Sequence, residues 1–423
     1  MRTPVPEYLQ EVLNDCVGLG EGAVADYIPE LAVADPDVFG IALSTVDGRT
    51  YSVGDDEREF SIQSVSKPFA YAAALTDRGL ERVAQTVGIE PSGEAFDELS
   101  LETDSHRPKN PMINAGAIAT HQLLGGEGAS PRDRTDRILE FCSRLAGRQL
   151  TIDRSVAASE LATADRNLAL AHLLRNYGVI GGDAHEVVSG YIDQCSILVT
   201  VRDLGVMGAT LANAGAHPVT GEQIVSPPVA RQTLSAMAAA GMYNGAGTWF
   251  SEVGIPAKSG VSGGLLGSLP GQVGIGVFSP RLDAQGNSVR AVEVCRRLSA
   301  DMGLHLMEAE TYGSTVLRGV VAGEDETVIS LQGVVQFTGA EVVLDHIQDL
   351  TIDSPTVVFD LQRVDRFADV GRRMILEGMR RLVLDGNRVV LDDPEGTLPD
   401  PDLGDGTYPE LRSMTFAARE PRV

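Results

Sequence analysis

Lysine is almost absent from this chain. Its 34 basic residues are three lysines, Lys67, Lys109 and Lys258, and 31 arginines. Guanidinium stays protonated in any protein, whereas a lysine amine can be driven neutral near physiological pH. A chain that uses arginine wherever a fixed charge will do keeps lysine where a removable proton is useful. Cysteine is sparse too: Cys16, Cys142, Cys195 and Cys295 are scattered with no C-x-x-C spacing. They read as buried thiols in a reducing cytoplasm, not as a disulfide framework. The seven histidines show no H-E-x-x-H or similar ligand spacing, so neither a metal nor a cofactor is expected. No apolar run reaches the ~18 residues of a membrane span. Met1-Arg2-Thr3-Pro4 leads into a polar stretch, unlike an apolar leader. A cytoplasmic protein is the expectation. Positive charge is also short, with a net charge of −25. Nucleic acids and anionic membranes need basic patches, so both are excluded as partners. The acidic balance suits solubility and tolerance of salt.

What is present is enough apolar residue, 43%, to bury a sizeable core across 423 residues, more than one ordinary domain. Residues 6–32 read as helical, ending near Pro29. Ile41–Val46 and Arg49–Val53 alternate around Asp47-Gly48, a hairpin with a D-G turn. Ser64 to about Leu80 is Ala-rich and helical, and most of 114–245 continues at helical spacing. Strand character returns at Ile255–Val261 and Gln272–Phe278, followed by a helix over Val289–Met302. Strands flanking a long helical insertion predict an α/β sheet with an all-α lobe and an active-site cleft between them. A second unit follows: strand Val328–Val335, helix Ala340–Leu350, strand Thr356–Leu361, helix Val370–Leu384 closed by Gly386, and strand Arg388–Leu391. That β-α-β-α-β order is a small α/β domain. Residues 1–310, a linker at 311–325 and a domain at 326–410 are the resulting boundaries, with a loosely ordered tail after Pro394.

Two lysines sit in chemically suggestive runs. Lys67 ends Ser64-Val65-Ser66-Lys67, and Lys258 begins Lys258-Ser259-Gly260. Helix residues three apart share a face, so Ser64 at a helix start faces the Lys67 amine one turn on. The helix N-terminus offers backbone N–H groups to an oxyanion. An amine base must be neutral, and moving its pKa from about 10.4 to about 7.5 costs about 4 kcal/mol. Burial and a second cation can supply that shift, and Lys258 is the candidate cation. S-x-x-K with a distant K-S-G matches serine β-lactamases and penicillin-binding proteins. Their middle element, S-x-N or Y-x-N, has no convincing counterpart here.

Longer motifs narrow this. Lys109-Asn110-Pro111-Met112-Ile113-Asn114-Ala115-Gly116-Ala117-Ile118 resembles a segment of the serine-dependent glutaminases. So do Ala25-Asp26-Tyr27-Ile28-Pro29-Glu30-Leu31, Asp165-Arg166-Asn167, Tyr191 with Gln194-Cys195-Ser196, Gly241-Met242-Tyr243-Asn244-Gly245-Ala246-Gly247 and Ala257-Lys258-Ser259-Gly260-Val261-Ser262-Gly263-Gly264. The resemblance covers about residues 1–310. It implies hydrolysis of L-glutamine to L-glutamate and ammonia on a β-lactamase-like fold, in a homodimer or homotetramer. It makes Ser64 the nucleophile and Lys67 its base, with the N–H groups of Ser64 and Val261 as oxyanion hole. Tyr27, Asn114, Glu160, Asn167, Tyr191 and Tyr243 would line the substrate pocket. Glu160 suits glutamine's α-ammonium; the amides and hydroxyls suit its α-carboxylate. Tyr191 or Tyr243 could relay a proton to the departing ammonia. Tyr243, in a Gly-rich stretch, reads as part of a lid.

Each residue also has an ordinary structural reading. Glu160 could pair with Arg166, Asn114 could cap a helix, and the tyrosines could be core residues with satisfied hydroxyls. Lys109 reads as surface or pocket rim, Trp249 as packing, and Cys195 as a buried neighbour of the site. Residues about 325–410 resemble the STAS domain of anti-sigma-factor antagonists and anion-transporter tails. The resemblance rests on Val328–Gly333, Val357–Val364 and Gly386–Leu391. Where those antagonists carry a phosphorylatable serine, this chain has Asp369 within Phe367-Ala368-Asp369-Val370-Gly371. That leaves a fixed charge and an expected role in assembly, regulation or protein binding. Two readings stand beside a glutaminase: a penicillin-recognising serine hydrolase, and a catalytically silent glutamine sensor joined to a STAS domain.

Overall fold

The computed structural model describes residues 5–93, 98, 100–308 and 316–412. The chain divides into two compact units, Met1–Glu308 and Ala309–Val423. The first is built on a five-stranded antiparallel sheet. Its strands are β1 (Gly40–Thr45), β2 (Thr50–Gly54), β5 (Ala257–Ser259), β6 (Gly264–Leu269) and β7 (Val273–Phe278), in the order β2-β1-β7-β6-β5. A separate two-stranded ribbon joins β3 (Phe60–Ser61) to β4 (Leu198–Val199).

The sheet's two faces bury different partners. Ile41, Leu43, Leu265, Ile275 and Val277 share a core with Leu9, Val12, Val294 and Leu298 of the two terminal helices, Val5–Cys16 and Val289–Met302. The opposite face receives the helix Val201–Ala212 at very close range. A side chain at Gly274 would put its Cβ 2.0 Å from the backbone N of Ala209, so only glycine lets helix and strand approach this far. Beyond that helix lies an all-helical lobe. Ala115, Ile118, Leu170, Val188 and Tyr191 form its core, on the helices Asn114–His121, Asp165–Asn176 and Ala184–Cys195.

The second unit is another five-stranded sheet, ordered β12-β11-β10-β9-β8. β9 (Glu326–Val335), β10 (Thr356–Phe367) and β11 (Arg388–Asp392) run parallel, connected through helices Phe337–Asp349 and Asp369–Leu384. β8 (Leu317–Ala322) pairs antiparallel with β9, and β12 (Glu410–Leu411) parallel with β11.

Several expectations need correction. Residues 6–32 are not one helix: the first helix stops at Cys16, and a single turn, Pro29–Ala32, follows later. Gly18, Gly20 and Gly22 intervene, and Gly22 has φ +83° against the Leu282 carbonyl. Strand β6 was not expected. Leu317–Ala322 is a strand inside the stretch read as linker; residues 309–315 lie outside the described residues. The tail after Pro394 is partly built in, since Leu398 and Leu403 are buried and Glu410–Leu411 extends the sheet. Among the described residues no helix is long and apolar enough to cross a membrane. No group of three or more His, Cys, Asp or Glu among them could hold a metal.

Candidate active site

The nucleophile candidate lies on a turn fixed from three sides. The ribbon β3–β4 delivers the chain to Gln63–Ser66, a 3₁₀ turn that runs into the α-helix Lys67–Thr86. Ser64 is thus on the turn before the helix, and Lys67 opens the helix itself. The end of β5 covers the turn: a Cβ on Gly260 would sit 3.0 Å from the Val65 side chain and 3.2 Å from the Ile62 carbonyl. Glycine there lets the K-S-G strand lie against the S-x-x-K turn.

Lys67 is 1% exposed and Lys258 fully buried. Lys67 Nζ donates to Asn114 Oδ1 at 2.7 Å, and Asn114 Nδ2 donates to Asn167 Oδ1 at 3.1 Å. Asn114 is the first residue of its helix, yet its side chain serves Lys67 instead of capping. Tyr191 Oη donates to the same Asn114 oxygen at 3.3 Å. Lys258 Nζ donates to the Ser259 carbonyl at 2.6 Å and lies 3.9 Å from the centroid of the Tyr243 ring. Burial first, then repulsion from Lys67, lowers its pKa well below that of an ordinary lysine. The ring face and the carbonyl favour the charged form, but complete burial outweighs them. Lys258 is therefore less a permanent cation beside Lys67 than one half of a buried pair competing for protons.

Tyr243 Oη donates to the Ser259 carbonyl at 2.9 Å. Its hydrogen bond with the Ser64 side chain is then one in which Ser64 donates. Burial raises the Tyr243 pKa and outweighs the lowering by Ser64, so the phenol stays protonated. Its backbone has φ +55°, a region that non-glycine residues rarely occupy and that clusters at functional sites. The Gly-rich stretch here is one 3₁₀ turn, Tyr243–Gly245, with the phenol held by Ser64 and Ser259.

Glu160, on helix Arg154–Ala162, accepts from Tyr27 Oη at 2.8 Å and from Gln63 Nε2 at 2.9 Å. Its salt-bridge alternative does not hold: Arg166 pairs with Glu98 at 2.8 Å. Burial raises the Glu160 pKa, against which the two donors work. Tyr27 is 45% exposed at the outer side of this group. Val261 follows Gly260, half-buried against Ile28 and Leu31. Lys67, Asn114, Asn167 and Tyr191 are thus joined through hydrogen bonds, and Ser64, Tyr243 and Lys258 through a hydrogen bond and a ring contact. The two sets meet where Lys67 repels Lys258, and Glu160 and Tyr27 connect to the nucleophile turn through Gln63. Lys109 stands apart, its Nζ 3.5 Å from the Ser92 carbonyl, and Trp249 is core, donating to the Ile255 carbonyl at 2.6 Å. Gln63 was not singled out by sequence. Buried, with φ +50°, it ties the residue before Ser64 to Glu160. Its place immediately before S-x-x-K was the available signal.

A buried serine on a turn with a buried lysine, facing a second lysine and a tyrosine, defines a hydrolase built for nucleophilic catalysis. Comparison with known proteins agrees. The family model described as Glutaminase matches residues 22–307. A glutaminase of Corynebacterium efficiens is 54% identical over 404 residues, 96% of each chain. One from Trichormus variabilis is 51% identical over 307 residues, covering 72% of this chain and 91% of its own. A crystal structure of Mglu superposes with a TM-score of 0.88 at 57% identity, covering 93% of this chain and 99% of that one. Mglu has also been solved in its glutamate form, with a TM-score of 0.88 at 52% identity over 93% of this chain and 99% of that one. The chain belongs to the glutaminase family. It is a glutamine amidohydrolase, taking L-glutamine to L-glutamate.

Proposed function

We propose that Ser64 Oγ attacks the γ-carboxamide carbon of L-glutamine, with its proton passing to Lys67 Nζ. The observation that carries this reading is the Lys67 amine, buried at the first residue after the turn of Ser64 and anchored by Asn114. The N–H groups of Ser64 and Val261 hold the oxyanion. Removing one such donor from a hydrolase typically costs ~10²–10³ in rate. The C–N bond then breaks, and the leaving nitrogen takes a proton from Lys67 through Tyr243, whose oxygen already accepts from Ser64. Water attacks the resulting γ-glutamyl ester by the reverse proton path, releasing L-glutamate and regenerating Ser64. Lys258 keeps Lys67 from holding its proton too tightly. Glu160 meets the α-ammonium, while Asn114, Asn167 and the hydroxyls of Tyr27 and Tyr191 line the α-carboxylate. The glutamate form of Mglu supports a pocket of this kind. Ammonia release from L-glutamine beside the Ser64→Ala variant is the direct test.

Replacing Glu160 by glutamine should raise KM about 10–100-fold, the worth of one hydrogen bond to a charged group. Steady-state kinetics would show it, with kcat moved far less. An unchanged KM would remove Glu160 from the ammonium site. Because burial raises the Glu160 pKa, the wild-type KM should climb on acidification at a higher pH than an exposed glutamate would dictate.

The finer fold reading, a β-lactamase-like catalytic domain with a STAS-like second unit, is supported by the S-x-x-K turn under the K-S-G strand and by the β-α-β-α-β order after Glu326. Asp369 opens the second helix of that unit, where a negative charge complements the helix dipole. We assign this unit to assembly or regulation of a cytoplasmic homodimer or homotetramer. The Trichormus relative aligns over 72% of this chain, close to the length of the first unit. A variant ending at Glu308 should therefore keep glutamine turnover while its oligomeric state changes in light scattering. Complete loss of turnover in a folded truncate would count against this assignment.

A further inference from the structure

Tyr27 sits on a short strap that its own backbone does not anchor. Residues 24–38 run from the Ala23–Leu282 bridge to Phe39, whose N–H donates to Asp55 Oδ2 at 2.9 Å. Among the described residues, the backbone-to-backbone hydrogen bonds of this stretch close within it: Ala32 to Ile28, Val33 to Pro29, Ala34 to Leu31 and Val38 to Asp35. Side chains must therefore place the strap. Ile28 and Leu31, 1% and 7% exposed, bury against Val156 on the helix Arg154–Ala162 and against Val261. That contact supplies most of the hold, since burying a side chain of this size outweighs a single hydrogen bond. It is non-directional, however, so it does not set the angle at which the strap meets the helix.

Two polar contacts set that angle, and they run in opposite directions. Tyr27 Oη donates from the strap to Glu160 Oε1 at 2.8 Å, and Ser159 Oγ donates from the helix to Glu30 Oε1 at 2.9 Å. Neighbouring helix residues thus grip strap residues on either side of the buried Ile28. Successive helix positions point about 100° apart, so the two bonds restrain the strap from different directions. Glu30 Oε2 is buried with no hydrogen-bond partner, so among the described residues the Ser159 hydroxyl is the one donor that holds this side chain. Tyr27 is exposed, so the strap and not a packed core places its hydroxyl.

We infer that Glu30 and Ser159 are positioning residues for the amino-acid end of the substrate: their hydrogen bond pins the strap to the helix and keeps Tyr27 Oη on Glu160. This rests on the reading of Tyr27 and Glu160 as lining that end. A donor fixed in advance leaves the Glu160 carboxylate oriented before substrate arrives, and preorganisation of this kind acts on binding. The γ-carboxamide end is served by Ser64 and Lys67, on other elements. The effect therefore falls on KM, with kcat little moved.

The test is made in the full chain. Ser159→Ala removes the donor, Glu30→Ala removes the acceptor, and Glu30→Gln keeps an acceptor oxygen. Both alanine variants should raise KM for L-glutamine about 5–20-fold with kcat within about threefold. The inhibition constant of L-glutamate should rise in step, because product and substrate share that end. Glu30→Gln should keep KM within about threefold of wild type. With Tyr27→Phe already present, adding Ser159→Ala should change KM less than about twofold, because the bond acts through Tyr27. KM within about threefold of wild type in the folded alanine variants overturns the inference. So does a Glu30→Gln variant as poor as Glu30→Ala, or an undiminished effect of Ser159→Ala on the Tyr27→Phe background. Should Glu30→Ala fail to fold, Ser159→Ala decides alone. Wild-type KM in both Glu160→Gln and Tyr27→Phe would instead sink the reading on which the inference rests.

Discussion

Ser64→Ala should reduce ammonia release from L-glutamine by ~10⁴-fold or more, since removing the nucleophile disables every step that depends on it. The fold should survive. Ser64 donates to Tyr243, and the phenol keeps its bond to the Ser259 carbonyl at 2.9 Å when that donor is gone. Glutamine should still bind, because the proposed contacts of its α-ammonium and α-carboxylate use Glu160 and Asn167. Saturating glutamine, at about a hundred times Kd, would then stabilise the variant by about 2.7 kcal/mol, visible as a raised Tm. The wild type quenched in acid during turnover should carry a γ-glutamyl ester on the peptide containing Ser64, and the variant none. Turnover near wild type in the variant would exclude Ser64 as nucleophile. Loss of turnover together with loss of the glutamine-induced Tm shift would assign the serine to the shape of the pocket instead.

Much of the site was legible because catalysis needs residue types that composition makes conspicuous. Three lysines stand out among 34 basic residues, and two of them proved to be buried in one cluster. The D-G hairpin was legible for a local reason: Gly48 has φ +86°, which a tight turn requires. The helix Val289–Met302 was legible from its amphipathic period and ends at Gly303, with φ +62°. β6 was missed because Gly264–Leu269 holds no β-branched or aromatic residue, unlike the equally buried β7 with its valines, isoleucine and phenylalanine. The first helix falls short of Pro29 because Gly18, Gly20 and Gly22 follow Cys16, and Gly22 takes φ +83°. Strand β8 is short, and four of its six residues are exposed at the sheet edge. For Gln63 the sequence offered only its place before S-x-x-K, since its bond to Glu160 joins residues nearly a hundred positions apart. The same holds for the buried hydrogen bonds that join His121 to Gln194 and Gln194 to Ser66. Local chemistry was readable; tertiary hydrogen bonding between distant buried amides and hydroxyls was not.

Lys67→Arg is expected to be nearly as damaging as loss of the nucleophile, although it preserves charge. A guanidinium cannot give up its proton at any pH the fold survives, so general base catalysis disappears, a loss of ~10²–10⁴-fold. The larger group must also displace the bond from Lys67 to Asn114 Oδ1, adding to the cost. The pH profile separates a missing base from a merely distorted site. Lys258 is fully buried, and burial together with Lys67 lowers its pKa well below that of an ordinary lysine. Lys67 lies close enough to repel the charged form of Lys258. Raising the pH removes protons from the pair and increases the share of enzyme with a neutral Lys67, so wild-type kcat should rise between about pH 7 and 9. The Lys67→Arg profile should be flat over that range. Stability follows the same sign. A lysine with a depressed folded pKa costs full stability below that value, and the cost vanishes as pH approaches the unfolded value. Chemical denaturation should therefore find Lys258→Met gaining on the wild type most at the acid end. A flat or falling wild-type kcat profile would argue that Lys67 is not the base, and would turn attention to the Tyr243 oxygen, which already accepts from Ser64.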